Sequence, residues 1–378
     1  LRGYTASPVL GTPEGIAVYQ NGVRVNEPFG DIVLWDFVPT FAIGNLEDIP
    51  GSNPMFGLNA LGGAVSLTMK NGFDFSGSQA DLSGGSFGRA RAIAETGQHW
   101  DDVAFYEGIS AGHEDGWRQN SPSDLLQSFT DFAYRGEALT LGLSVTAAGS
   151  NLNGNGANPA QDDRRAAFAV PDSERNRLAF VQGRGSYQAS DALSLRGTAY
   201  FRYAAIKTTN GQASGFATCG AFLCDDDGPL TRLNGAPILA STPGTGTIPT
   251  QTTRSDGGGG SLQATYQNTV AGLANTAILG GSFDYGHSYF DEVTWLGTLQ
   301  YLSPPGTLTN SDGIPLGGED YNVRLDAENR YYGLYFTDTL SITDALSVTA
   351  AGRYNFARIN LADRFGDSLN GDHSYSRF

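Results

Sequence analysis

The chain has 378 residues, with 39 acidic against 23 basic side chains, a formal charge of −16, 51 glycines and 11% aromatic residues. So acidic a composition argues against nucleic acid as a partner, because phosphate backbones are bound by basic surfaces. The longest unbroken apolar run is the five residues Ala166–Val170, far short of the roughly 20 that a membrane-crossing helix needs.

The chain starts at Leu1 with no basic and apolar leader, so any signal peptide is expected to be absent or removed. Ile16–Val25 reads as a hairpin: Ala17-Val18-Tyr19, then Gln20-Asn21-Gly22, then Val23-Arg24-Val25, with Asn-Gly supplying the positive-φ turn. A loop Asn26-Glu27-Pro28-Phe29-Gly30-Asp31 follows, then Trp35–Pro39 as the start of a short helical turn, then Asn45–Lys70 with glycines at tight turns. Residues 13–72 therefore read as a small mixed α/β unit, the last part of a globular domain.

From about residue 77 the character changes to alternation. In 192–206, Leu193, Leu195, Gly197, Ala199, Phe201, Tyr203 and Ala205 share one face, and Ser194, Arg196, Thr198, Tyr200 and Arg202 the other. Segments 274–290 and 346–360 do the same, while 102–112 and 124–135 alternate poorly, with Glu107, Asp131 and Arg135 breaking the pattern. Short turns are expected at His99–Asp102, Arg135–Ala138, Ala189–Ala192, Val270–Ala274 and Thr343–Ala345. Between them lie connections at 84–88, 112–123, 150–176, 207–259 and 291–328, most of them long. Soluble domains seldom carry several structureless loops beyond about 15 residues. Strands of roughly ten residues with short turns at one end and long loops at the other describe an outer-membrane barrel. Paired aromatics near strand ends (Tyr285 and Tyr289, Tyr331 and Tyr332, Tyr354 and Phe356) suit interfacial girdles, although strand propensity also enriches aromatics. About eleven strands are expected, an odd number that cannot close an ordinary single-chain barrel, so the chain reads as a fragment truncated at both ends.

Other candidate chemistry is sparse. Cys219 and Cys224, inside the longest loop, suit a loop disulfide better than a thiolate metal site, which wants more ligands. Acidic clusters at Asp162–Asp163, Asp225–Asp227 and Asp291–Glu292 fit solvated loops bridged by divalent ions, or selection of a cationic ligand. His287 falls on the lipid-facing set with Leu279, Gly281, Phe283 and Tyr285, whereas Asp284 and Ser288 face inward, so no Ser–His–Asp set can form. His99, His113 and His373 have no metal-ligand spacing, and Gly257–Gly260 lacks the Lys-Ser/Thr of a phosphate loop and reads as a flexible loop end.

Two segments carry a resemblance. Val18-Tyr19-Gln20-Asn21-Gly22-Val23 resembles the V-x-x-D-G-V hairpin of TonB-dependent outer-membrane receptors. Pro50-Gly51-Ser52-Asn53-Pro54-Met55-Phe56-Gly57, continuing through Leu61-Gly62-Gly63-Ala64-Val65 to Lys70, is similar to that family's closing plug motif, R-G-P-x-S-x-x-Y-G-x-x-A-x-G-G-x-I-N-I-x-T-K. Gly84–Gly88 and Asp115–Ser121 resemble the first two external hairpins of such barrels. Departures are Pro50 where the family often has Arg, and Asn21 for the usual Asp.

The resemblance implies an all-β transmembrane barrel, about 11 antiparallel strands of about 22, preceded by part of a small α/β plug. Residues 1–72 would be the C-terminal part of the plug and 73–378 the N-terminal half of the barrel. It implies energised import of a scarce ligand, a ferric siderophore or related metal chelate, across the outer membrane of a Gram-negative bacterium. TonB would pull through a segment upstream of this chain. Outer-membrane lipid and lipopolysaccharide would surround a monomer, and no enzyme activity, cofactor or resident metal is expected. A passive porin and a surface adhesin are the alternatives. By resemblance Asn26, Glu27, Phe29 and Asp31 reach the plug apex and face the ligand, with Trp35 a lesser candidate. The competing reading packs Phe29 and Trp35 into the plug core and pairs Glu27 and Asp31 with lumen arginines. Asn21, Gly22, Gly51, Gly57, Gly62 and Gly63 are expected to be structural. Glu47 and Lys70 are expected to contact the wall, and Arg196, Arg202 and Arg353 to brace plug or wall.

Overall fold

A computed structural model describes residues 3–12, 14–51, 53–154, 164–165, 170–300 and 307–378. Asp162–Asp163, Ser52 and all but the last residue of the apolar run 166–170 lie outside the described residues. The N-terminal strands are β1 (Ile16–Gln20), β2 (Val23–Arg24), β3 (Ile43–Pro50) and β4 (Gly63–Met69), in the sheet order β2-β1-β4-β3. Asn21 and Gly22, both at positive φ, close the β1–β2 hairpin. The expected helical content is limited to two single turns, Trp35–Phe37 and Thr40–Ala42. Gly63 is required at its site, since a Cβ there would lie 2.4 Å from the Ile49 carbonyl oxygen and φ is +143°.

The wall begins with β5 (Gly77–Gly84), β6 (Ala90–Trp100), β7 (Val103–Glu114), β8 (Ser123–Arg135), β9 (Leu139–Asn153), β10 (Asp172–Gln188) and β11 (Leu193–Asn210). Four short pieces follow: β12 (Gln212–Ala213), β13 (Ala217–Cys219), β14 (Phe222–Asp225) and β15 (Gly228–Pro229). Then come β16 (Gly246–Val270), β17 (Leu273–Gln300), β18 (Thr307–Pro315), β19 (Asn322–Thr343), β20 (Leu346–Asp363) and β21 (Gly371–Arg377). Twelve of these form an antiparallel path whose edges are β5 and β21, one strand more than expected because the final residues pair with β20.

Side chains sort by face as the alternation demands. Leu262, Leu279 and Leu334 point outward and are more than half exposed. Gln182, Asp131 and Ser288 point inward and are fully buried. The weak alternation of β7 and β8 has a physical cause. Their inward Tyr106 and Phe129 join the apolar core of the N-terminal unit with Val18, Val33, Phe37 and Leu67, so both faces of these strands are apolar. Asp131 keeps the inward register and does not break it, while Glu107 accepts a hydrogen bond from the Thr130 hydroxyl.

The strands outrun the bilayer. β17 has 28 residues, roughly 90 Å at about 3.3 Å each, against an apolar band of about 25 Å. The excess, with β12–β15 and β18, builds a lobe at the long-loop end. Its own core is Leu223, Leu230, Ile238, Leu296, Ile314 and Leu316. Cys219 and Cys224 are joined by a disulfide within it, their Cα atoms 5.9 Å apart. Asp225 accepts from the amides of Asp227 and Gly228 and from the Tyr321 hydroxyl at 2.6 Å. Burial and that carboxylate push the Tyr321 phenol well above its usual range.

Gly257–Gly260 is not a loop end but mid-strand in β16, hydrogen-bonded between β11 and β17. A Cβ on Gly259 would lie 2.3 Å from the Phe283 carbonyl oxygen of β17 and 2.9 Å from the Tyr200 ring, so the glycine leaves room for a neighbouring backbone and an inward aromatic. Outward positions are the simplest to test. Leu279→Arg is expected to destabilise the full-length protein in bilayers by about 2–4 kcal/mol, and Leu279→Phe by less than about 1 kcal/mol, measured by reversible unfolding in urea.

Candidate functional site

The N-terminal unit is fastened to the wall through polar contacts around an apolar seam. At the hairpin tip the Asn21 side chain accepts from the Met69 amide, and its carbonyl accepts from Gln182 of β10 at 2.7 Å. Gln20 donates to Thr146 of β9 at 2.9 Å. Lys70 meets Glu95 of β6 at 2.5 Å, and the Tyr106 hydroxyl donates to the same carboxylate at 2.6 Å. Glu47, in contrast, is exposed and accepts from Asn45 within its own strand instead of reaching the wall. Arg353 of β20 donates to the Pro54 carbonyl and to Ser282. The Tyr19 hydroxyl accepts from the Gly57 amide at 3.0 Å, while the Gly51 amide donates to the Gly62 carbonyl.

The loop after the hairpin sits where the unit meets the inner wall. Asn26 is buried and holds the loop from beneath: its oxygen accepts from the Val18 amide, and its nitrogen donates to the carbonyls of Ile16 and Asp31. Glu27 is buried and paired with Arg202 of β11, also buried, which lies 5.7 Å from the Phe37 ring. Phe29, half-buried, stacks on Phe290 of β17 with ring centres 5.2 Å apart. Asp31 accepts from Arg24 and Asn59, so its partner is an arginine of the unit itself and not of the wall. Trp35 is exposed and donates to the Ala6 carbonyl, outside both the core and the loop that follows the hairpin.

Below this loop a cavity of about 530 Å³ opens between unit and wall. Tyr19, Arg24, Arg196, Tyr200, Asp284 and Tyr331 are among the residues that line it. The Tyr200 hydroxyl donates to Asp284 at 2.8 Å, and Arg184 donates twice to Asp131, at 2.6 and 2.9 Å. Burial opposes the charge on Arg24, but Asp31 beside it more than offsets this and holds its pKa above the ordinary arginine range. Burial pushes the Tyr19 phenol up. The Arg24–Asp31 and Arg184–Asp131 pairs, with the phenols, give this cavity a polar lining. Ser288 bonds to Ser255 inside while His287 faces outward toward Asp256 and Asp326, which separates the only Ser–His–Asp neighbours weighed from the sequence.

Arg24 and Arg184 were not singled out in the sequence, while Asp131 was read only as a break in alternation and Asp284 only as facing inward. A charge inside the apolar Val23-Arg24-Val25 strand was the available signal for Arg24. Parity with Gln127 and Phe129 was the signal for Asp131.

No protein-family model matches the chain, and no curated protein is similar to it in sequence. Solved structures are. The ferric-catecholate import receptor Fiu of Escherichia coli K12, in its open form, superposes with a TM-score of 0.72 at 15% identity, covering 99% of this chain and 61% of that receptor. The siderophore receptor PiuA of Acinetobacter baumannii gives 0.69 at 12% identity over 100% of this chain and 54% of its own. The ferric citrate transporter FecA without ligand gives 0.69 at 11%, with 99% and 53% covered. The chain spans between half and two thirds of each of the three.

The Glu27–Arg202 pair is the contact most open to test. Glu27→Gln leaves a buried guanidinium without its counter-charge, and a cost of about 3–5 kcal/mol is expected. Adding Arg202→Met should recover most of that loss, in a double-mutant cycle read by urea unfolding. In this chain an inner four-stranded unit is docked on twelve strands of wall, the plug-and-barrel fold of outer-membrane siderophore receptors.

Proposed function

We propose that the chain is part of a TonB-coupled outer-membrane receptor that imports a ferric siderophore or a related metal chelate. The observation that supports this most is the inner unit itself. A passive pore has no use for a folded element that buries an apolar core and an ion pair against its own wall. In this reading residues 1–72 are plug and 73–378 wall, the long-loop end faces outward, and TonB pulls on the whole protein through chain outside these residues. Asn26, Glu27, Phe29 and Asp31 form the plug apex. Asn26 and Glu27 fix its shape, and Phe29 and Asp31 offer an aromatic face and a carboxylate toward the ligand. The receptor works as a monomer embedded in outer-membrane lipid and lipopolysaccharide.

The test is uptake by cells carrying the full-length protein, with and without functional TonB, over a panel of ferric siderophores, cobalamin and oligosaccharides. TonB-dependent uptake of a ferric chelate is expected, and Phe29→Ala should reduce it by about tenfold, the equivalent of about 1.4 kcal/mol of lost contact. Uptake that persists without TonB would sink the energised mechanism. Binding without uptake would point to an adhesin.

A further inference from the structure

The outward face of β5–β8 carries a polar row. Ser78, Thr96, Glu107 and Thr130 are cross-strand neighbours, each directly across from the next. They share the parity of the exposed Leu82, Ile109, Leu126 and Phe132, which is the outward set. The Thr130 hydroxyl donates to Glu107, and Ser78 and Thr96 share a hydrogen bond of 2.9 Å. Among the described residues Glu107 forms no ion pair, and its one side-chain partner is that hydroxyl.

Two landmarks set the depth of Glu107. Below it Val103 lies between Trp100 and Tyr134, exposed aromatics of the kind that mark an interface. Glu107 stands four residues above Val103 in β7, a rise of roughly 10 Å for a strand tilted about 40°. Above it His113 faces Asp124 in a charged row six residues on, roughly 15 Å higher. Together these span the apolar band of about 25 Å, so the carboxylate faces hydrocarbon near mid-depth, where an ionisable group is costly without a partner. Asp338, another outward carboxylate, stands instead in the row of Tyr266 and accepts from Asn275. Between Glu107 and the charged row the same face is hollowed into a groove of about 760 Å³, lined by Leu82, Ala92, Ala111, Leu126 and Gly149 among others. Outward positions of β16–β19 are bulkier, with Leu262, Leu279, Phe283 and Phe336 all exposed.

We propose that this face docks a second, different membrane-embedded protein, which fills the groove and sets a lysine or arginine against Glu107. The inference rests on the outer-membrane reading above and adds an interaction surface to it. Charge selects the occupant. Acyl chains offer the carboxylate no donor. A second copy of this chain about a two-fold axis would set Glu107 beside itself. Nor does this chain offer a cation at that depth: Arg177, an outward arginine two strands away, stands eleven residues above the short-turn end of β10 at Gln188, against four for Glu107 above Val103. In lipid, close approach over small side chains and polar contacts between proteins hold such a pair together, and Ala92, Ala111 and Gly149 leave that approach open.

The probe is a synthetic membrane-spanning helix of about 20 residues with one central lysine, compared with the same helix carrying leucine there. Binding to labelled full-length protein is read by energy transfer in lipid bilayers. The wild type is expected to bind the lysine helix about tenfold more tightly than the leucine helix. Glu107→Gln should erase that preference, while Asp338→Asn, outside the face, should keep it. Ala92→Leu/Ala111→Leu fills the groove with the carboxylate intact and should weaken both helices. Equal binding of the two helices by the wild type would overturn the site. So would a preference that survives Glu107→Gln or is lost equally in Asp338→Asn, each variant still a heat-modifiable barrel. Any of these leaves the receptor reading standing, whereas failure of the full-length protein to reach the outer membrane would overturn both.

Discussion

A strand in hydrocarbon can leave no amide or carbonyl unpaired, and this constraint shapes everything else in the chain. It forces long, regular, neighbour-to-neighbour pairing from β5 to β21. It sends apolar side chains outward at every second position and polar ones inward. A wall of so many strands curves too widely for its own side chains to fill the interior. Something else must occupy that space, and here it is the N-terminal sheet.

The filling is held by an uneven mixture of forces. Apolar packing of Tyr106, Phe129 and Phe180 of the wall against Val33, Phe37 and Leu67 supplies most of the driving force, on the order of 1.5–3 kcal/mol per large side chain buried. The polar contacts fix position more than they add stability. Glu27 and Arg202 are both desolvated, so their attraction is largely offset by the cost of burial, and their value lies in specifying one docked geometry. The cavity beside Tyr19 and Tyr200 lies along the seam and already separates unit from wall.

The wall was legible in the sequence wherever its inward face meets solvent or polar groups. β11, β17 and β20 alternate cleanly, and their outward residues fall as expected. β7 and β8 were blurred because the inner unit's core makes their inward positions apolar too, and no single-strand pattern can reveal a partner on that side. The glycine run in β16 was taken for a loop because glycine weakens a strand on propensity. Its role depends on the backbones of β11 and β17 on either side and, at Gly259, on the Tyr200 ring. The long-loop lobe was invisible for a similar reason, since Leu223, Ile238, Leu296 and Leu316 come together only through pairing of distant segments. Around the site, Glu27–Arg202 follows the competing reading, in which plug carboxylates pair with lumen arginines, and not the one that turned Glu27 toward the ligand. Asp31–Arg24 was not, because the arginine belongs to the same small sheet.

The central claim is that the N-terminal unit closes a wall that would otherwise be an open pore. Planar-bilayer conductance of the full-length protein tests it most directly, compared with a variant lacking residues 16–72 and shown to insert as a folded barrel. The intact protein is predicted to hold a sealed membrane and the deletion variant to open large, stable ion channels. An intact protein that conducts as freely as the deletion variant would contradict the account.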